Sequence, residues 1–252
     1  IGGQVFCPSL AGDLDHHIAE VFFSTIYCIA YLYCLDFCRK SPVDLKVWKT
    51  LKIPVLVSCI AGVAYVLGFL TMPTMILFAF ITALTTIGLF IYEYYHGRHG
   101  EYIVVINTVV FGIALVVSLF FQPSSGFALY FYSIGHPISY LLLIIGTIIL
   151  YVLSRFLKGK PWYSYPAIVI ALMVVGILVM ALTLPALFQT FIEGLQSFFG
   201  LSPYTVTIQE ARPWTLGEAW AVFNFGLLLM IGGILVLLYK NWKEYRPGNI
   251  FV

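Results

Sequence analysis

The chain has 252 residues, of which 61% are hydrophobic and 10% charged, with a formal net charge of +2. Soluble domains average about 25% charged residues, so a water-soluble globule is excluded, and so small a net charge leaves no electrostatic footprint for nucleic acid. Apolar stretches recur along the whole length rather than once at the start, which also excludes a signal peptide on a soluble body.

In chain order, runs long enough to cross a hydrocarbon layer of roughly 30 Å occupy 18–37, 53–70, 75–94, 103–121, 138–156, 165–188 and 219–239. They predict seven membrane helices, an all-α multi-pass bundle, in a single transmembrane domain over 1–252. The second and third runs meet at Thr71-Met72-Pro73, where proline disfavours a continuing helix and an antiparallel hairpin is expected. The stretch 189–218 is long for a membrane connection and is expected to be a loop without obvious structure, of the kind that often carries function. The chain starts at Ile1 without Met and stops at Phe251-Val252 as a new apolar run begins, so a fragment of a longer protein is expected. Cys7, Cys28, Cys34, Cys38 and Cys59 show no CxxC spacing and read as small apolar side chains. Trp48, Trp162, Trp214, Trp220 and Trp242 fall near the ends of the runs, where an aromatic belt is expected.

Twelve of the thirteen basic residues fall on one set of alternating connections: Arg39 to Lys52, Arg98, Arg155 to Lys160, and Lys240 to Arg246. Only Arg212 lies on the other set, which gathers Asp13, Asp15, Glu20, Glu193, Glu210 and Glu218. Positively charged loops stay in the cytoplasm, so the acidic face is expected outside, on a cell-membrane protein. Two patches then share the outer compartment, Asp13-Leu14-Asp15-His16-His17 and Thr207-Ile208-Gln209-Glu210. His96-Gly97-Arg98-His99 falls on the inner side and reads as a solvated loop.

Ionisable groups at a membrane boundary are retained when solvated, paired or used. Asp15 and His17 are spaced i, i+2 and face the same way where the backbone is extended; a carboxylate and an imidazole together suit a divalent first-row ion such as Mn²⁺ better than Mg²⁺. Asp13 and Asp15 have the same spacing, and Asp15 is also a good N-cap for a helix beginning near Ile18, so the residues alone leave these alternatives open. His16 reads as a neighbour of the ion rather than a ligand. Glu20, one turn into the helix, complements its positive start. Glu210 is either a further ligand or a carboxylate for substrate, and against both stands an exposed loop glutamate. His136, before Pro137 at the outer start of the fifth run, would contact an anionic substrate or serve the helix start.

These residues resemble a known family, the catalytic subunit of oligosaccharyltransferase in its archaeal form. Gly12-Asp13-Leu14-Asp15-His16-His17 is similar to the family's second short acidic motif, Thr207-Ile208-Gln209-Glu210 to its TIxE motif in the fifth external loop, and Arg246-Pro247-Gly248-Asn249-Ile250-Phe251 to the approach to its next membrane helix. The resemblance covers essentially the whole chain and implies a GT-C type glycosyltransferase bundle. Its glycine register implies that Asp15 and His17 hold the metal, Mn²⁺ or Mg²⁺, with Asp13 and His16 beside it. The implied reaction moves an oligosaccharide from a lipid-linked pyrophosphate or phosphate carrier to the Asn amide of Asn-x-Ser/Thr sequons in an acceptor polypeptide. Glu210, with Thr207, would bind and position that amide. Pro8 stands where the family usually has an arginine. The first external loop and the soluble sequon-reading domain of the family would lie outside this chain. Two other readings are another polyprenyl-phosphate-using membrane glycosyltransferase and, ranked last, a transporter, which would place ionisable residues near the midplane of several helices.

Overall fold

The computed structural model describes residues 16–41, 43–121, 127–129, 131–198 and 215–243. Their architecture is helical throughout: α1 (His16–Lys40), α2 (Trp48–Thr71), a 3₁₀ turn (Pro73–Met75), α3 (Ile76–Tyr95), α4 (Glu101–Ser118), α5 (Gly135–Phe156), α6 (Ser164–Thr183), α7 (Pro185–Phe198), α8 (Leu216–Phe223) and α9 (Phe225–Lys243). At 1.5 Å per residue a span needs about 20 residues, and six helices, α1 to α6, are long and apolar enough to cross a membrane. The protein is therefore an all-α membrane protein.

Two expectations change. The seventh span is broken among the described residues: α8 ends at Asn224, whose φ of 47° and ψ of −129° turn the backbone out of the helix before α9 begins. Asparagine tolerates positive φ better than most residues, and it satisfies both flanks, its N–H donating to Trp220 O at 2.8 Å and its carbonyl accepting from Leu227 N at 3.2 Å. The sixth span stops at Thr183 rather than reaching 188, and the first part of the expected loop is the helix α7. Pro185 explains both: it lacks an N–H and clashes with a preceding helical turn, yet its fixed φ suits the first position of a new helix.

The chain divides into two compact units. One, over 19–176, carries most of the described core. In it α4 packs against α2 and α5, and α3 against α5. The α2–α4 approach depends on Gly62, where an added Cβ would lie 2.8 Å from Ile113 Cδ1 and 3.2 Å from Val110 Cα. Small residues allow backbones to approach in a bilayer, where apolar contact between helices has no advantage over lipid. The outward faces of the spans are apolar, with Val21, Leu56, Leu84 and Val152 exposed, while polar side chains turn inward. Tyr31 Oη donates to Asn107 Oδ1 at 2.7 Å, and Asn107 Nδ2 donates to Thr86 at 2.8 Å and Thr147 at 3.1 Å, so one amide ties α1, α3, α4 and α5 together. Tyr27 and Thr82 bond at 2.8 Å, and Tyr65 Oη lies 3.1 Å from both Met75 O and Tyr140 Oη. A buried polar group without a partner is expensive in hydrocarbon, and these pairings remove that penalty.

The second unit is described over 177–198 and 215–243. The start of α8 has a capping box, in which Thr215 Oγ1 accepts from Glu218 N at 3.3 Å and the Glu218 carboxylate accepts from Thr215 N at 2.8 Å. Glu218 is accordingly a helix-start residue.

Candidate functional site

The end of the 19–176 unit that carries Glu20 is organised by the hairpin between α2 and α3. Met72 closes α2 with its N–H on Gly68 O at 2.9 Å, and Pro73 opens the 3₁₀ turn. Thr74 in that turn donates its hydroxyl to Glu20 Oε1 at 2.5 Å, which fastens the first turns of α1 to the hairpin. Glu20 thus does more than complement the helix dipole: it joins two elements that are 54 residues apart. His136 Nε2 lies 3.1 Å from Pro73 O, and because a carbonyl only accepts, this nitrogen carries the proton. Its ring is fully buried against Phe69, Tyr132 and Tyr140. At the start of α5, one of its two expected roles, His136 holds the hairpin. Tyr132 adds a parallel tie, its phenol donating to Phe69 O at 2.8 Å and Leu70 O at 3.1 Å. Burial raises the Tyr132 pKa, which keeps it a neutral donor.

Helix α1 begins at His16, two residues earlier than expected, so His16 and His17 lie in its first turn. The extended backbone assumed for an Asp15–His17 pair is therefore not found at His16. Asp13 and Asp15, with Thr207 and Glu210, lie outside the described residues, as do the side chains of His16 and His17. No group of three or more His, Cys, Asp or Glu gathers into a metal site among the described residues. One carboxylate with one imidazole remains a donor pair suited to a first-row divalent ion, and Glu20 and Thr74 fix the helix that carries the imidazole. The Glu20–Thr74 tie was not legible in the sequence; a glutamate one turn inside an apolar helix facing a Thr-Met-Pro-Thr hairpin is the only hint of it.

No protein-family model matches the chain. A curated relative, the dolichyl-monophosphooligosaccharide–protein glycotransferase AglB of Haloferax volcanii, is 28% identical over 226 residues, 84% of this chain and 21% of the relative. Among solved structures, the archaeal oligosaccharyltransferase AglB from Archaeoglobus fulgidus in complex with an inhibitory peptide and a dolichol-phosphate superposes on the whole chain with a TM-score of 0.75 at 21% identity. The chain resembles archaeal oligosaccharyltransferases in both sequence and fold. A further structure of the Archaeoglobus enzyme, tethered to an acceptor peptide containing an NVT sequon, gives a TM-score of 0.70 at 22% identity. The chain spans about a fifth of the curated relative and 30% and 29% of these two solved chains. Its fold is accordingly a helical membrane bundle like that of the Archaeoglobus structures.

Proposed function

We propose that this chain supplies the membrane part of an oligosaccharyl transfer from a lipid-phosphate or lipid-pyrophosphate donor to the Asn amide of Asn-x-Ser/Thr sequons. The observation that carries the reading is the match to Haloferax AglB across 84% of the chain, with both the acidic-histidine and the Thr-Ile-x-Glu patterns inside the sequence. The Archaeoglobus relative's complexes with a dolichol-phosphate and with an NVT peptide support a polyprenyl carrier and a sequon-bearing acceptor. The charge asymmetry supports a site on the extracellular face.

In the reaction the bond between the reducing-end sugar carbon and the phosphate oxygen breaks, and a bond from that carbon to the amide nitrogen forms. The nitrogen loses one proton, and the carrier leaves as a phosphate or pyrophosphate anion. Asp15 and His17 would hold Mn²⁺, or Mg²⁺, with Asp13 and His16 close by. Bound there, the ion would supply charge neutralisation for the departing phosphate. Glu210, flanked by Thr207, accepts hydrogen bonds from the amide N–H and directs the nitrogen at the sugar carbon. Glu20 and Thr74 hold the helix that presents His17.

The reading is tested with the full-length protein in membranes, a lipid-linked oligosaccharide pool and a labelled Asn-x-Thr peptide. A glycan mass added at Asn, and lost when Asn is replaced by Gln in the peptide, is the expected result. Sugar transfer to lipid or to Ser/Thr alone would overturn it in favour of another polyprenyl-phosphate-dependent transferase.

A further inference from the structure

At the end of the 19–176 unit opposite the hairpin, Glu93 sits in the last turn of α3, 1% exposed. A buried carboxylate stays charged only when paired. Its Oε1 accepts from Tyr102 Oη at 3.0 Å and lies 3.4 Å from Arg39 Nε; its Oε2 lies 2.7 Å from Arg98 Nε. Glu93 therefore holds two guanidinium groups by their inner nitrogens. The terminal nitrogens of Arg98 have no partner among the described residues, and its side chain is 47% exposed.

The loop that carries Arg98 is built rather than loose. Gly97 (φ 70°) ends α3 in a Schellman turn, with Gly97 N on Tyr94 O at 2.9 Å and Arg98 N on Glu93 O at 2.8 Å. Gly100 (φ 69°) opens α4, and a Cβ there would meet Phe90 Cε1 at 3.0 Å. Between the two glycines, Arg98 and His99 are presented to a cavity of about 270 Å³, lined also by Arg39, Ser41, Glu93, Tyr102 and Glu101, whose carboxylate lies 3.7 Å from Arg155 Nη1. At about 30 Å³ per water it has room for roughly nine waters, more than a phosphate group needs. His99 Nδ1 is buried there without a hydrogen-bond partner among the described residues. Burial, reinforced by the Arg155 charge, lowers the His99 pKa, so without an anion beside it the ring stays neutral. The positive charges of Arg155 and Lys158 also act on His99.

We propose that the Arg39–Arg98–His99 cavity binds a phosphate group, either the headgroup of an anionic lipid in the facing leaflet or a soluble phosphate. Planar guanidinium forks match phosphate oxygens, and basic pockets between membrane helices are where anionic headgroups lodge. Glu93 acts as the internal counter-ion that pre-orients both forks. The proposal uses none of the residues assigned to the transfer reaction.

Two arms test the inference on full-length protein. In one, protein in nanodiscs of phosphatidylglycerol in phosphatidylcholine is released and its retained lipid counted by native mass spectrometry. In the other, inorganic phosphate is titrated against protein in phosphatidylcholine alone and followed by ³¹P line broadening. Arg98→Gln should weaken binding roughly tenfold or more, whereas Lys158→Gln, which removes the same charge from an exposed site outside the cavity, should leave it within about twofold. Arg98→Lys keeps the charge beside Glu93 but removes the fork; weakened binding at an unchanged melting temperature separates recognition from folding. Retention of phosphatidylglycerol alone assigns the site to lipid, and phosphate broadening alone assigns it to a soluble anion. Equal losses in Arg98→Gln and Lys158→Gln, or no binding in either arm, would overturn the proposal and leave the arginines as counter-ions of Glu93.

Discussion

Asn107 concentrates the polar energetics of the described core in one side chain. Its carbonyl accepts from Tyr31 and its amide donates to Thr86 and Thr147, so Asn107→Leu keeps the branched shape and removes all three bonds. Interhelical hydrogen bonds in membranes average well below their aqueous reputation, but here three of them are lost together. The expected loss is about 2–3 kcal/mol, read as reduced stability in equilibrium unfolding in mild detergent; unchanged stability would show that the four helices do not depend on this amide. At this scale the sequence was informative about chemistry and poor about partners. Asp15, His17 and Glu210 stand out because charge is rare in an apolar chain. The partners of Glu20 and Glu93 do not stand out, because they are 54 residues away in one case and divided between α1 and the α3–α4 connection in the other. His136, for which a substrate contact and a helix-start role were both open, has its ring enclosed by three aromatic side chains.

At the scale of elements, hydropathy located α1 to α6 because each must match the thickness of a bilayer, and that constraint is written in composition. Breaks inside apolar runs were harder to see. Pro185 was legible as a helix breaker, yet the apolar residues on both sides of it read as one span. Asn224 ends α8 through a backbone conformation that hydropathy does not register. Close packing was also hidden, since Gly62 and Gly112 look alike in sequence. Only Gly62 touches a neighbouring helix; a Cβ at Gly112 meets nothing within 4 Å. Gly62→Val should therefore force α2 from α4 and lower the melting temperature by several degrees, roughly the equivalent of 1–3 kcal/mol, while Gly112→Ala should be neutral or slightly stabilising. Equal melting temperatures for the two variants would contradict the α2–α4 contact.

At the scale of the whole molecule, the 19–176 unit has two chemically different ends. The end that carries the hairpin is fastened by Glu20–Thr74, His136–Pro73 and Tyr132–Phe69. The other end holds two arginines against a buried glutamate. A transporter would be expected to carry its ionisable groups near the midplane of several helices; Glu93 instead lies in the final turn of α3. The fold class and the resemblance to archaeal oligosaccharyltransferases were legible because bilayer physics fixes the helices and two short motifs mark the ends of the chain. The central claim is that Glu210 directs the acceptor amide while Asp15 and His17 hold the metal. The most direct measurement is the initial rate of Asn-x-Thr peptide glycosylation by the full-length protein across a Mn²⁺ titration, comparing wild type, Glu210→Gln and Asp15→Asn. Loss of one positioning or charge-stabilising group typically costs about 10²–10³ in rate. The account predicts such a loss at saturating Mn²⁺ for Glu210→Gln, and a Mn²⁺ requirement shifted to higher concentration for Asp15→Asn. Wild-type rates for Glu210→Gln, with the Asp15→Asn titration superimposed on that of the wild type, would contradict it.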